Sequence, residues 1–200
     1  MKTKSDSYDR RIGIFGGTFD PPHIAHLIIA ERAVQQLNLD KVVFVPAYLP
    51  PHKKKGGTAS PSQRYTMIKK AISGRREFDV TSIEMDRKGI SYTIDTIRDV
   101  RAKYKDAKLF LIVGGDNYRQ FEKWKSAEEM RKLVTLVVYD RSESRLSKRS
   151  RKQKGAVKLK GTKLDISSTL IRSQLGRGES IHFLVPPSVE RFIRRRRLYV

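Results

Sequence analysis

GIFGGTFDPPHIAH, residues 13–26, is the stretch whose reading decides the fold. A hydrophobic run ends at two glycines and an apolar-periodic run follows two histidines, which predicts the strand-to-helix turn of an α/β unit. Gly16 and Gly17 carry no Cβ, so the backbone there is free to turn sharply and to lie close to a polyanion. Thr18 adds a hydroxyl and a backbone amide, and Pro21-Pro22 sets the entry into the next helix. His23 and His26 stand at i and i+3, on one face of the first helical turn. The helix dipole and the unpaired amides of that turn favour negative charge, so the pattern predicts a grip on phosphates.

Working outward, strand-like and helical runs alternate. RIGIF (11–15) precedes an amphipathic stretch with Leu27, Ala30, Val34 and Leu37 on one face. VVFVP (42–46) is a continuous apolar run, as expected of a strand buried on both faces. Ser60-Pro61-Ser62-Gln63 combines an N-cap, a first-turn proline and a capping-box glutamine. FDVTSIE (78–84) reads as a third strand, SYTIDT (91–96) as a helix start, KLFLIV (108–113) as a fourth strand closed by GGDN, and LVTLVVY (133–139) as a fifth. DISSTLIRSQL (165–175) is capped-helix sequence, and a last helix begins near Ser188 with Val189, Phe192 and Ile193 inward. The rhythm predicts one α/β domain over residues 1–200, a doubly wound parallel sheet with helices on both faces. The clusters GGTFDPPHIAH, PAYLPPHK, SYTIDT and GGDN each follow a strand, so they are expected to converge beyond the carboxyl ends of the sheet.

Composition narrows the partners. Lys and Arg total 43 against 21 Asp and Glu, a formal net charge of +22, which predicts polyanionic partners: nucleotides, nucleic acid or an anionic surface. With no cysteine, disulfides, thiolate catalysis and cysteine-based zinc sites are excluded. No apolar run is long enough to span a membrane, so a soluble, cytoplasmic protein with no membrane partner is expected. Between Arg141 and Lys163 ten residues are Lys or Arg and only Glu143 is acidic, which predicts a mobile basic loop holding at most a short strand at AVKLK (156–160).

His23 and His26 also read as a metal pair or as ordinary capping and core histidines. Zinc would need further ligands, and only His52 and His182 remain, so no metal site is assigned. Neither a Walker P-loop nor G-x-G-x-x-G occurs. The ordered set GGTFDPPHIAH (16–26), PPHK (50–53), SYTIDT (91–96), GGDN with Trp124 (114–124) and ISSTLIR (166–172) instead resembles the bacterial nicotinate-nucleotide adenylyltransferases, nucleotidyltransferases marked by an (H/T)xGH turn. The resemblance spans nearly the whole chain except residues 141–163 and implies a Rossmann-like nucleotidyltransferase fold. It also implies the reaction of ATP with nicotinate mononucleotide to give the dinucleotide and pyrophosphate, a step of NAD biosynthesis.

By that resemblance, His23, His26 and Arg172 are the catalytic residues. Gly16, Gly17, Thr18, Phe19, Gly114, Asp116, Ser168 and Thr169 would bind ATP, and His52, Lys53, Tyr92, Thr93 and Trp124 the acceptor. Mg²⁺ is expected to arrive with ATP, with few protein ligands of its own. Trp124 is otherwise a plain packing aromatic, Asp95 a helix-start residue and Arg64 a solvated charge. Ala25 replaces the glycine of (H/T)xGH, placing one methyl group where adenine would approach. The rival readings are the same chemistry on another acceptor (nicotinamide mononucleotide, phosphopantetheine or a sugar phosphate) and a basic nucleic-acid-binding protein. The RFIRRRR run (191–197) reads as a solvated helix face, leaving nucleic acid only non-specific binding. Oligomeric state stays open.

Overall fold

A computed structural model describes residues 10–49, 59–139, 155–161 and 164–200. The acceptor candidates His52 and Lys53 lie outside the described residues, as does most of the basic stretch assigned to a loop at 141–163.

Six parallel strands form one sheet in the order β3-β2-β1-β4-β5-β6. They are β1 (Arg11–Gly17), β2 (Lys41–Pro46), β3 (Phe78–Val80), β4 (Lys108–Gly114), β5 (Thr135–Tyr139) and β6 (Ala156–Lys158). Between and after them run α1 (Ile24–Leu37), α2 (Pro61–Ala71), α3 (Ile83–Arg87), α4 (Thr93–Lys103), α5 (Gly115–Arg119), α6 (Ala127–Leu133), α7 (Ser168–Gly176) and α8 (Pro187–Arg195).

Alternate strand residues feed two cores, as the pleat requires. Leu109, Leu111 and Val113 of β4 meet Ile94, Ile97 and Val100 of α4 and Met130 of α6 on one face. Phe110 and Ile112 join Ala30, Ala33 and Leu37 of α1 and Ile68 of α2 on the other. Helices therefore cover both faces, as the βαβ rhythm predicts. The inward stripe of α1 runs through Ala25, His26, Ala30, Ala33 and Leu37 rather than through Leu27 and Val34, which stay half-buried. A third cluster packs Met67 of α2 against Ile171 and Leu175 of α7 and Val189 and Ile193 of α8. It fastens the carboxyl-terminal helices behind α2.

Local capping holds where it was legible. The Ser60 side chain accepts from the Gln63 amide at 3.3 Å while Gln63 Oε1 accepts from the Ser60 amide at 2.8 Å, with Pro61 in the first turn. Several strand boundaries differ from expectation, and β1 runs on past Phe15 through both glycines to Gly17. Only Phe78–Val80 pairs at the third strand, because the Ser82 carbonyl takes the amides of Met85 and Asp86 and starts α3. Leu133 closes α6, so the fifth strand begins at Thr135. The short strand near AVKLK exists as Ala156–Lys158, paired to β5. Arg194 to Arg197 are exposed at and beyond the end of α8, and Arg194 is bonded to Glu190.

Gly13 sits where β1 is covered on both sides. A Cβ there would meet Leu39 at 2.9 Å, Val42 at 3.2 Å and Ile112 at 3.3 Å, whereas one at Gly16 would meet nothing within 4 Å. Gly13→Val is expected to lower the free energy of unfolding by about 1–3 kcal/mol through overpacking. Gly16→Ala should stay within about 0.5 kcal/mol of the parent. Urea denaturation of both variants checks the contrast.

Candidate functional site at the carboxyl edge of the sheet

The site begins where the sheet opens. β1 pairs with β2 as far as Gly17 opposite Pro46, and β4 with β5 as far as Gly114 opposite Tyr139. The last pair between β1 and β4 is Ile14 with Leu111. Phe15–Gly17 and Ile112–Gly114 therefore run on without pairing to each other, and a crevice opens at the strand-order reversal, the usual ligand position in open α/β sheets. Gly16 is exposed there. The tight turn after β1 is taken by Phe19, at φ 51, and not by either glycine. Gly17 is needed instead because a Cβ would come within 3.0 Å of the Phe19 ring. That ring is itself buried in the core, so Phe19 can offer a ligand only its backbone.

His23 is the N-cap of α1 and His26 its third residue. The two imidazoles stack with centroids 3.6 Å apart and 23° between planes. His26 Nδ1 accepts the His23 amide at 3.2 Å, which places the ring proton of neutral His26 on Nε2 and makes that atom a donor. The rings of Phe19, at 4.9 Å, and Phe15, at 6.0 Å, brace the same imidazole edge-on. Both histidines are buried, at 1 % and 8 % exposure, so they also serve the capping and packing roles weighed from the sequence. The Ile24 amide is taken by the Leu184 carbonyl, so this helix end offers an anion fewer amides than the sequence implied. Ala25 is 1 % exposed, so its methyl lies within packed protein and not on an open wall.

α7 is tied to the same turn. Ser168 Oγ donates to the Pro21 carbonyl at 2.9 Å, and Arg172 Nη1 donates to the Asp20 carbonyl at 2.7 Å. Arg172 Nη2 donates to Thr169 Oγ1 at 3.3 Å, which leaves the Thr169 hydroxyl proton to be given elsewhere. Ser167 is the N-cap and its hydroxyl accepts from the Leu170 amide. His23, His26, Thr169 and Arg172 thus come from two helix starts joined through residues 20 and 21.

The remaining clusters converge in part. The Ala47 amide donates to the Gly17 carbonyl at 2.9 Å, Ser91 Oγ accepts from the Tyr48 amide at 3.0 Å, and Leu49 bridges Ile90. Lys125 Nζ lies 4.4 Å from the centroid of Tyr92, the N-cap of α4, whose next residue is Thr93. This brings the Trp124 segment beside the helix start predicted to meet the acceptor. Trp124 is half-buried against Phe121, ring centroids 5.5 Å apart. Gly114 ends β4 at the crevice, but the exposed Asp116 carboxylate is paired with Arg119.

Arg64 corrects the reading of a solvated charge. It is 3 % exposed and donates to three carbonyls: Thr18 at 2.8 Å, Ala59 at 3.2 Å and Tyr48 at 3.3 Å. Burial holds its guanidinium below the ordinary arginine value, and the nearby Asp20 carboxylate offsets part of that cost. Arginine stays cationic under such a shift. Asp20 and Tyr199 are further residues that the motif reading passed over. Asp20 sits inside the quoted stretch and only its charge signalled it; nothing local marks Tyr199. Among the described residues no three His, Cys, Asp or Glu side chains gather as metal ligands, and no helix is long and apolar enough to cross a membrane.

Comparison with known proteins bears on these features. The Cytidylyltransferase-like family matches residues 14–174. A probable nicotinate-nucleotide adenylyltransferase of Shouchella clausii is 42% identical over 190 residues, covering 95% of this chain and 97% of the relative. One of a Thermoanaerobacter species is 42% identical over 199 residues, covering 94% of each. Among solved structures, Plasmodium falciparum nicotinic acid mononucleotide adenylyltransferase complexed with NaAD superposes with a TM-score of 0.80 at 17% identity. That match covers 95% of this chain and 97% of the other, and it supports the fold.

Removing the Arg64 fork would strand three carbonyls and deprive buried Asp20 of a cation. Arg64→Ala is expected to cost about 3 kcal/mol or more of stability, and Arg64→Lys, which keeps the charge without the fork, to recover only part of it. Denaturant titrations of both variants measure the difference.

Proposed function

The chain belongs to the Cytidylyltransferase-like family and within it to the nicotinate-nucleotide adenylyltransferases, and on that premise we propose that it transfers the adenylyl group of ATP to nicotinate mononucleotide. The observation that carries the proposal is the stacked His23–His26 pair at the mouth of the β1–β4 crevice, cross-tied to Arg172 on α7.

An oxygen of the acceptor's 5′-phosphate attacks the α-phosphorus of ATP, the bond to the bridging oxygen breaks, and pyrophosphate leaves. The acceptor phosphate is already ionised near neutral pH, so no general base is required. Catalysis then rests on holding two mutually repelling anions in line and on neutralising charge around the α-phosphorus. In this reading His26 donates from Nε2 to a phosphate oxygen, and His23 lies in the same stack. Thr169 donates its hydroxyl, and Arg172 brings its remaining N–H groups to the leaving pyrophosphate. Ser168, whose hydroxyl proton is given to Pro21, contributes through the first turn of α7. Gly16 lets the nucleotide lie against bare backbone, with Gly17, Thr18, Phe19 and Gly114 lining the same edge. Tyr92, Thr93 and Trp124 form the acceptor wall, with His52 and Lys53 assigned to the acceptor phosphate. The described residues do not make a dedicated magnesium cage; Mg²⁺ is taken to enter bound to ATP, and no step is assigned to it.

The reading is tested by pyrophosphate release from ATP with nicotinate mononucleotide, its amide and phosphopantetheine as acceptors. Preference for the acid is the expected result; turnover with phosphopantetheine alone would sink the assignment. In the same assay His26→Asn, which keeps an acceptor near the position of Nδ1 and deletes Nε2, should lower kcat by about 10²–10³ in a folded protein. Trp124→Ala should raise the KM for the mononucleotide by about tenfold, leaving that for ATP within twofold, if the indole stacks on the pyridine ring as aromatics stack on bases.

A further inference from the structure

Asp20 occupies the turn between the glycines and His23 with no accessible surface, 0 % exposed. Both of its ends are engaged. Its carbonyl accepts from Arg172, and its Oδ1 accepts from the Ala59 amide at 3.0 Å and from the Tyr199 hydroxyl at 2.6 Å. Oδ2, equally buried, has no hydrogen-bond partner among the described residues. The Tyr199 bond joins positions 179 residues apart. Tyr199 thus reaches the quoted turn from one residue short of the end of the sequence.

The route by which it arrives is conformationally costly. After α8 the backbone enters the left-handed region at Arg197, φ 47, and again at Tyr199, φ 67. Neither is glycine, so each carries the strain of a side chain held in left-handed backbone. The Leu198 amide closes back on the Ile193 carbonyl at 3.1 Å between them. Burial and the Asp20 carboxylate both push the Tyr199 phenol above its ordinary value, so it remains a protonated donor through the physiological range. Arg64 and Arg172 act on the same phenol from two further elements.

We propose that Tyr199 is a positioning residue for adenylyl transfer: its hydroxyl fixes the Asp20 carboxylate, and through Asp20 the Arg172 guanidinium and the turn that leads into His23. The inference rests on the function proposed above. It adds the carboxyl-terminal segment to the machinery of the site, without contact to substrate. Asp20 is the coupling element, since the residue whose carboxylate Tyr199 holds is also the one whose carbonyl accepts from Arg172.

The test is Tyr199→Phe in the full-length chain, which deletes one oxygen and keeps the ring. The expected result is a fall in kcat of about tenfold, with the KM for nicotinate mononucleotide within twofold and a circular dichroism spectrum like the parent's. Asp20→Asn and the double variant complete a cycle. If Tyr199 acts through Asp20, the double variant loses no more than the worse single variant, whereas multiplicative losses overturn the coupling. A kcat within twofold of the parent, with only a lower melting temperature, overturns the proposal, as does a Tyr199→Phe chain that fails to fold. If the parent turns over neither pyridine mononucleotide, the functional reading fails separately. The inference is then decided by calorimetric binding of a non-hydrolysable ATP analogue. Affinity weakened fivefold or more by Tyr199→Phe sustains it, and a smaller change overturns it.

Discussion

A parallel sheet wound in both directions has to part where the winding reverses, and here β1 and β4 stop pairing after Ile14 and Leu111 while each keeps its outer neighbour to its last residue. The rest of the molecule is arranged around that opening. The two strands on either side of it are deeply covered, with Ile12, Ile14, Leu111 and Ile112 at 2 % exposure or less, so packing holds the walls of the crevice in place. Rigid walls allow small displacements at its mouth to matter, because a phosphoryl group in flight tolerates little misalignment.

The mouth is built from backbone carbonyls gathered by two guanidinium groups, Arg64 buried and Arg172 half-buried. Arg64 takes the carbonyls of Thr18, Tyr48 and Ala59, and Arg172 takes that of Asp20. Loops that follow β1 and β2 and the start of α2 are thereby held by one fork whose geometry permits several bonds at once. The choice of arginine follows from this. A lysine ammonium would have to satisfy the same carbonyls from a single point and would shed its charge more readily when dehydrated. The cost of burying Arg64 is offset in part by three hydrogen bonds and the nearby carboxylate of Asp20.

The strong positive charge divides between two uses. Among the described residues most of it is solvated: Arg194 to Arg197 are exposed, and several surface arginines are paired with carboxylates, as Arg75 with Glu31, Arg98 with Glu129 and Arg177 with Glu179. Exposed pairs of this kind add little to stability. The residues proposed for the phosphates are few, and they include the uncharged hydroxyl of Thr169 beside the Arg172 guanidinium. In the proposed reading, placed donors in the crevice hold the phosphates, while the bulk charge acts at longer range on the encounter with anionic substrates.

What the sequence determined by itself is whatever neighbouring residues decide. The continuous apolar runs set β2 and β4, Ser60-Pro61 and Gln63 set the start of α2, and the spacing of His23 and His26 placed both imidazoles on one turn. Ordered motifs also carried the family and the doubly wound sheet. Where local signals competed, the reading slipped: the FDVTSIE run is apolar enough for a strand, yet Ser82 turns it into a helix after Val80. Arg64 looks like any helix-surface cation, and only the packing of α2 under two loops buries it. Asp20 looks like a turn residue and Tyr199 like a stray terminal aromatic. Their bond exists because α7 and α8 fold back behind α2 and carry the last residues across to the first turn. Periodicity and caps act within about one helical turn and so are written in the chain. The partners of a buried carboxylate are chosen among groups far apart in sequence, and only the tertiary structure brings them within hydrogen-bonding reach.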